Sequence, residues 1–275
     1  MKNFYLLQAF GLTCLLLSLS NTSSAQVDTV SPAKTSSPKR LTKTVFRKNI
    51  AKINLSSLAF NSYNFNYERS LSRKITFVAG YNTMGKNVLG DLPLTEKITK
   101  QFLEKDNDIV NDLNKISVAN NAYTGEFRFY GGRRPGARGA YLSLYGRYSN
   151  MKLDYDYDYE GPTKNYLIPI RTEVKGFGGG LMFGVQKLIA KRVALDIYII
   201  GAHYGNLKGN ADAAVDLSAM PATEKADLKE EIEALAEING KRYVTATVVD
   251  KGVSAKADGP LIGIRGLGFS LGIAF

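Results

Sequence analysis

GLGFSLGIAF, residues 266–275, places a large apolar side chain at every second position: Leu267, Phe269, Leu271, Ile273 and Phe275. Between them stand only Gly266, Gly268, Ser270, Gly272 and Ala274. Successive side chains of a β-strand point to opposite faces, so the segment predicts a strand greasy on one side and nearly bare on the other. A bare face leaves room for bulky neighbours, as the interior of a narrow barrel requires.

The same period of two recurs upstream. Ile53 and Leu55 are set between Lys52, Asn54 and Ser56; Tyr63, Phe65 and Tyr67 alternate with Asn64, Asn66 and Glu68. After SLSR come Ile75, Phe77, Ala79 and Tyr81, and then Tyr123, Phe127 and Phe129 against Thr124, Glu126 and Arg128. Beyond GGRRPGARG, Leu142, Leu144 and Tyr148 alternate with Ser143, Tyr145 and Arg147. Phe177, Leu181, Phe183 and Val185 face away from Gly178, Gly180 and Gly184, and Val193, Leu195, Ile197 and Ile199 face away from Ala194, Asp196 and Tyr198. With the terminal segment this makes about eight strands, the smallest even number common in bacterial outer-membrane barrels. Composition agrees: 26 Gly, 16 Tyr and 13 Phe in 275 residues suit strands better than helices.

Connections after the second, fourth and sixth strands are short (SLSR, GGRRPGARG, LIAKR), whereas those after the third, fifth and seventh are long, near 84–119, 154–170 and 206–259. Transmembrane barrels divide short periplasmic turns from long extracellular loops in this way. Leu94, Ile98, Phe102, Ile109, Leu113 and Ile116 recur at helical spacing inside one long loop, and Leu228, Ile232 and Leu235 inside another. Each stripe has to bury itself, and packing onto the barrel mouth is the expected solution. The polar face of the strands carries Glu68, Glu126, Arg128, Arg147, Asp196 and Arg265. That is too many ions for the hydrocarbon-lined cavity of a water-soluble barrel. Turned inward, they form a polar network in the lumen while Leu, Ile and Phe meet lipid. The expected fold is all-β, an eight-stranded antiparallel up-and-down transmembrane β-barrel over 44–275, with short helices in its long extracellular loops.

The first residues fit export. MKNFYLLQAFGLTCLLLSLSNTSSAQ has charged Lys2, an apolar core from Phe4 to Leu19 and the small residues Ser23, Ser24 and Ala25, the pattern of a signal peptide over 1–25. The apolar run is short, holds Gln8 and lacks a basic stop, unlike a membrane anchor. Cys14, the only cysteine, lies inside the apolar core after Thr13, which does not suit a lipoprotein and leaves no thiol beyond residue 25. Residues 26–43, rich in Ser, Thr, Pro and Lys, are expected to be a disordered basic periplasmic leader. From Lys34 to Lys52 there are seven basic residues and no acidic one, read as a tether to the first strand. Formal charge is +11, of which Lys2 belongs to the leader peptide. For an exported chain this points to anionic lipid rather than nucleic acid.

The terminal strand with Phe269, Leu271, Ile273 and Phe275 resembles the insertion signal of Gram-negative outer-membrane β-barrel proteins. Together with the signal peptide, residues 44–275 look like one of the small barrel families of that membrane, several of which have no assigned function. The resemblance implies fold, location and recognition by the barrel-assembly machinery; it supplies no catalytic residues.

Candidate chemistry is sparse. In DYDYDYE, residues 154–160, Asp154, Asp156 and Asp158 share one strand face and form a weak metal candidate. A straight strand spreads them about 7 Å apart, so an external rim with tyrosines at the interface is the plainer reading. GFGGG, 176–180, lacks the strand-to-helix context of a dinucleotide site, and GKNVLGD lacks P-loop spacing. The arginines of GGRRPGARG suit a turn near phospholipid headgroups. His203, the only histidine, faces outward by simple alternation and has no nearby serine to complete a hydrolytic pair. No cofactor is expected. The expected role is that of a non-enzymatic outer-membrane barrel with a filled lumen, structural or surface-binding through its extracellular loops. A narrow channel or transporter for a small solute is the first alternative, a lipid-modifying enzyme the second. Partners implied are outer-membrane lipids and lipopolysaccharide, the assembly machinery, and an extracellular or periplasmic partner not identified by sequence.

Overall fold

The computed structural model describes residues 46–275 except 94, 96–110, 112, 163, 235, 236 and 239. The expected signal peptide and leader both lie outside the described residues. Strands β1 (Asn49–Asn54), β2 (Ser62–Ser70), β3 (Ile75–Val88), β4 (Ile116–Tyr130), β5 (Gly139–Glu160), β6 (Asn165–Ile189) and β7 (Val193–Ala214) pair antiparallel in chain order. After a helix, α1 (Ala222–Ala234), come a two-residue hairpin of β8 (Glu237–Ile238) and β9 (Lys241–Arg242), then β10 (Val244–Val249), β11 (Gly252–Arg265) and β12 (Gly268–Ala274). β12 pairs with β1 on one side and β7 on the other, which closes the ring. β11 and β12 keep one register against β7, Arg265 opposite Gly201 and Gly268 opposite Tyr198, so together they are the eighth staff of the barrel.

The lower end carries the short turns and the closure of β1 on β12. Between β6 and β7, Ala190 and Lys191 both take positive φ (49° and 61°), the geometry of a tight hairpin that follows the strand twist. The turn at 131–138 needs Gly136 at φ +91°, where Phe46 packs against its Cα. The same turn tucks Ala137 into the bottom of the ring beside Ile50, Tyr130, Tyr141, Met182, Ala194 and Ala274.

Outside, the apolar residues read from alternation form an exposed belt: Phe65, Phe127, Leu144, Leu181, Leu271 and Ile273 among others. Cross-strand aromatic pairs knit it, Phe77 with Phe127 (centroids 5.2 Å apart) and Tyr81 with Tyr123 (5.1 Å). Tyr81, Tyr123, Tyr148 and Phe177 stand opposite one another on consecutive strands at the upper margin of the belt. Above them the outward face turns polar at Thr83, Asn121, Asn150 and Lys175.

The walls are unequal. β1 and β2 are joined by one 3-10 turn (Ser56–Phe60), while β5, β6 and β7 run for 22, 25 and 22 residues. At about 3.3 Å per residue β6 is about 80 Å long, more than twice what a spanning strand of about 10 residues needs. This corrects the expected loop boundaries: 154–170 is a hairpin with only 161–164 outside the strands, and 206–214 and 252–259 are strand throughout. On the inner face of the tall wall α1 packs with Leu228 against Tyr159, Tyr166, Ile168 and Val253, Ile232 lying at the edge. A helix therefore stands where the second was expected and buries Leu228, while Ile232 is partly buried; Leu235 lies outside the described residues. So does the first expected helix, apart from Leu113 and from Ile116, which opens β4. Glu233 accepts the Ala246 N–H at 3.0 Å, covering part of the free edge of β10.

Alternation breaks in two places, on β3 between Met84 and Asn87 and on β7 at Ile199. Phe183 pairs with Ile200 and Gly184 with Tyr198, so Ile199 has no partner on β6, and both isoleucines are exposed. The eighth staff breaks at the same level, Gly266 and Leu267. Above this double bulge the inward residues of β7 become Gly201 and His203, and those of β11 become Arg265 and Gly263. A one-residue slip exchanges the two faces. Deleting Ile199 alone should therefore regularise β7 against β6 but leave the break at Gly266 and Leu267 unmatched, lowering stability, and deleting Leu267 as well should restore much of it. Heat-modifiable gel mobility of the two variants checks this.

Candidate functional site

The closed ring encloses an ion cluster, and its centre is Lys52 of β1, 4% exposed. An ammonium has three protons to donate. All three are used: to Glu68 Oε2 (2.8 Å), Gln186 Oε1 (2.9 Å) and Asp196 Oδ2 (2.7 Å). Alternation on four different strands delivers these groups, since each stands at an inward position of its strand.

Arg128 of β4 lies beside Lys52. Its Nη1 donates to Asp196 Oδ2 at 2.6 Å and its Nε to Glu126 Oε2 at 2.9 Å, while its guanidinium stacks 4.4 Å above the Tyr141 ring. The remaining carboxylate lone pairs are met by hydroxyls. Glu68 Oε1 accepts from Thr76 (2.6 Å) and Tyr130 (2.7 Å), and Asp196 Oδ1 from Tyr141 (2.8 Å). Gln186 turns its amide to Ala137 O at 2.8 Å, tying the cluster to the lower turn. Arg265 reaches Glu126 Oε1 at 3.5 Å. Three carboxylates thus meet three cations, and the described side chains fill the lower lumen.

Of the six residues expected in the lumen network, Glu68, Glu126, Arg128, Asp196 and Arg265 are brought together. Arg147 is not. It faces inward one level higher, opposite Thr124 and Gly178, and makes no hydrogen bond or ion pair among the described residues. Lys52 and Gln186 were missed. Lys52 was read both as the end of a basic tether and as a polar-face residue of the first alternating strand, but not as an ion of the lumen. His203 is corrected from outward to inward: the bulge at Ile199 and Ile200 reverses the phase. Its Nδ1 lies 3.1 Å from Tyr145 Oη, and its ring covers Gly263 so closely that a methyl there would collide with it.

The weak metal candidate is resolved otherwise. Asp154, Asp156 and Asp158 face outward and meet basic partners: Asp154 with Lys86 (2.6 Å), Asp156 with Arg171 (3.1 Å) and Asp158 with Lys115 (2.6 Å). Among the described residues no group of carboxylates, His or Cys could hold a metal ion. Tyr155, Tyr157 and Tyr159 face inward on the tall wall rather than lying at an interface girdle. Burial under α1 raises the Tyr159 phenol above its usual range, with Glu224 adding to it. The serine and histidine of a hydrolytic pair are likewise not assembled at His203 among the described residues, whose ring partners are Tyr145 and Gly263.

No protein-family model matches the sequence, and no curated protein resembles it closely enough to register. Among solved structures, CarO of Acinetobacter baumannii is similar with a TM-score of 0.36 and 12% identity, over 84% of this chain and 98% of that one. CarO2 of the same organism gives 0.36 and 10%, over 83% and 98%. A likeness this loose carries no weight for fold or activity.

Removing one partner of a buried ion pair leaves the other charge uncompensated, at about 3–5 kcal/mol. Lys52→Met should destabilise the chain by about that amount, because it takes from Glu68 its nearest cation and leaves Asp196 to Arg128 alone. Arg171→Ala, which breaks only exposed pairs, should scarcely move the midpoint. Urea unfolding of the two variants in parallel measures the contrast.

Proposed function

We propose that the chain is an exported, non-enzymatic outer-membrane β-barrel of Gram-negative type, closed to through-flow and working through the tall wall that stands above the membrane. One observation carries the reading: a ring whose exterior is a continuous apolar belt and whose interior is a fully hydrogen-bonded ion cluster. Water as the solvent would reverse those faces, whereas lipid requires them. Closure leaves the spanning backbone without a free edge at the level of β1 and β12. Eight strands leave interior space for side chains only, and Lys52, Arg128 and their partners occupy it.

In this reading the short turns and the β1–β12 closure face the periplasm, the barrel-assembly machinery inserts the chain, and the belt contacts lipids and lipopolysaccharide. The inner face of the tall wall, roofed by α1, is the surface left for an extracellular partner; nucleic acid has no part. The channel reading is disfavoured by the filled lower lumen, and the enzymatic one by the surroundings of His203.

Two measurements test it. Planar bilayers with the purified chain should stay silent where an open pore would show steady conductance. Leu144→Arg, in the belt, should cost about 2–4 kcal/mol of folding free energy in liposomes, and Asn150→Arg, above it, should cost far less. A purified chain that stays monomeric and folded in buffer without detergent or lipid would overturn the reading.

A further inference from the structure

Above the ion cluster the lumen changes character. Lys52, Arg128 and Arg265 already match Glu68, Asp196 and Glu126. Arg147 is therefore a fourth inward-facing cation, and the strands place no fourth inward carboxylate among the described residues. Arg147 is half-buried and lies within electrostatic reach of both Arg265 and His203. A like-charged pair inside low-dielectric walls is costly unless something compensates it.

The neighbours show what shape of partner is missing. Arg265 is held between two phenol rings, 5.2 Å from the Tyr145 centroid and 5.1 Å from that of Tyr198. Its only ionic partner among the described residues is the long 3.5 Å contact to Glu126. Tyr145 also engages His203 Nδ1, and Asn54 donates to Tyr198 Oη at 3.0 Å, so the rings beneath the guanidiniums are fixed. Around Arg147 the adjoining inward positions are small: Gly178 and Thr124 beside it, then Gly80 and Gly205. Two cations and an imidazole thus share one stretch of the inner wall, a cup whose neighbouring strand positions carry small side chains.

We propose that this cup binds a small oxyanion of the phosphate class, held by Arg147 and Arg265 with His203 at its edge. Guanidinium groups match the tetrahedral oxygens of phosphate with paired donors. The anion supplies the charge that the strands do not. Free phosphate and a lipid headgroup share this chemistry. The site concerns the inner surface above the filled lower lumen, so it stands or falls separately from conductance and membrane insertion.

His203 is the only histidine of the chain, so selective isotope labelling of histidine yields one reporter in the cup. The full chain in phosphatidylcholine nanodiscs is titrated with inorganic phosphate, and separately placed in phosphatidylglycerol nanodiscs without phosphate. A saturable shift of the His203 imidazole in the first arm supports a free anion, and a shift in the second supports a headgroup. No shift in either arm overturns the proposal. Arg147→Met should abolish the response while leaving the phosphate-free thermal midpoint equal or higher, since it removes an uncompensated charge. A lowered midpoint would mark Arg147 as a structural cation and overturn the proposal. Arg147→Lys, which keeps the charge on a less suited group, should bind several-fold more weakly; binding equal to the parent chain would also overturn it.

Discussion

One ammonium group organises the barrel. Lys52 joins strands that are 16, 134 and 144 residues apart in sequence through three short donor contacts. A buried ion is tolerable only when its hydrogen-bonding capacity is fully met. That requirement fixes the heights at which β1, β2, β6 and β7 stand relative to one another. The apolar belt alone would accept a slip of two residues, because such a slip leaves every side chain on its own face. The ion cluster does not accept it. Specificity of register comes from the inside, while the outside carries the apolar belt.

Much of this was legible in sequence because sheets encode their faces locally. Phe65, Phe127, Leu144 and Leu271 reveal their side by alternating with Asn66, Glu126, Ser143 and Ser270, and no knowledge of the partner strand is needed. What local alternation cannot report is phase slippage, and His203 was misplaced for that reason. The signal was present: apolar residues occupy odd positions up to Ile199 and even ones from Ile200 to Tyr204, and Leu267 is out of step with Ile264 and Ile262. Two adjacent isoleucines mark the switch.

The other misreadings share a cause. Residues 154–160 resembled a loop because they are charged, yet their carboxylates are neutralised by Lys86, Lys115 and Arg171 on neighbouring strands. Lys52 resembled a tether because basic residues precede it, yet its partners lie far along the chain. Charge is a poor local guide to structure when its compensation comes from elsewhere. Arg147 is the converse case: its inward position was legible, but its lack of a partner is visible only in three dimensions.

The closure of β1 against β12 pairs Ile50 with Ala274, and this bears on the order in which the molecule assembles. Contacts between such remote segments pay their loop entropy before any reward, which slows folding and lengthens the time spent with unpaired strand edges. Neighbouring hairpins can form early, but none of them contains the complete set of groups that neutralises Lys52. A partial barrel therefore carries both an open edge and an unsatisfied charge, and the finished cylinder is the first state free of both. Such a chain needs guarding while it is incomplete, and once closed it unlocks reluctantly.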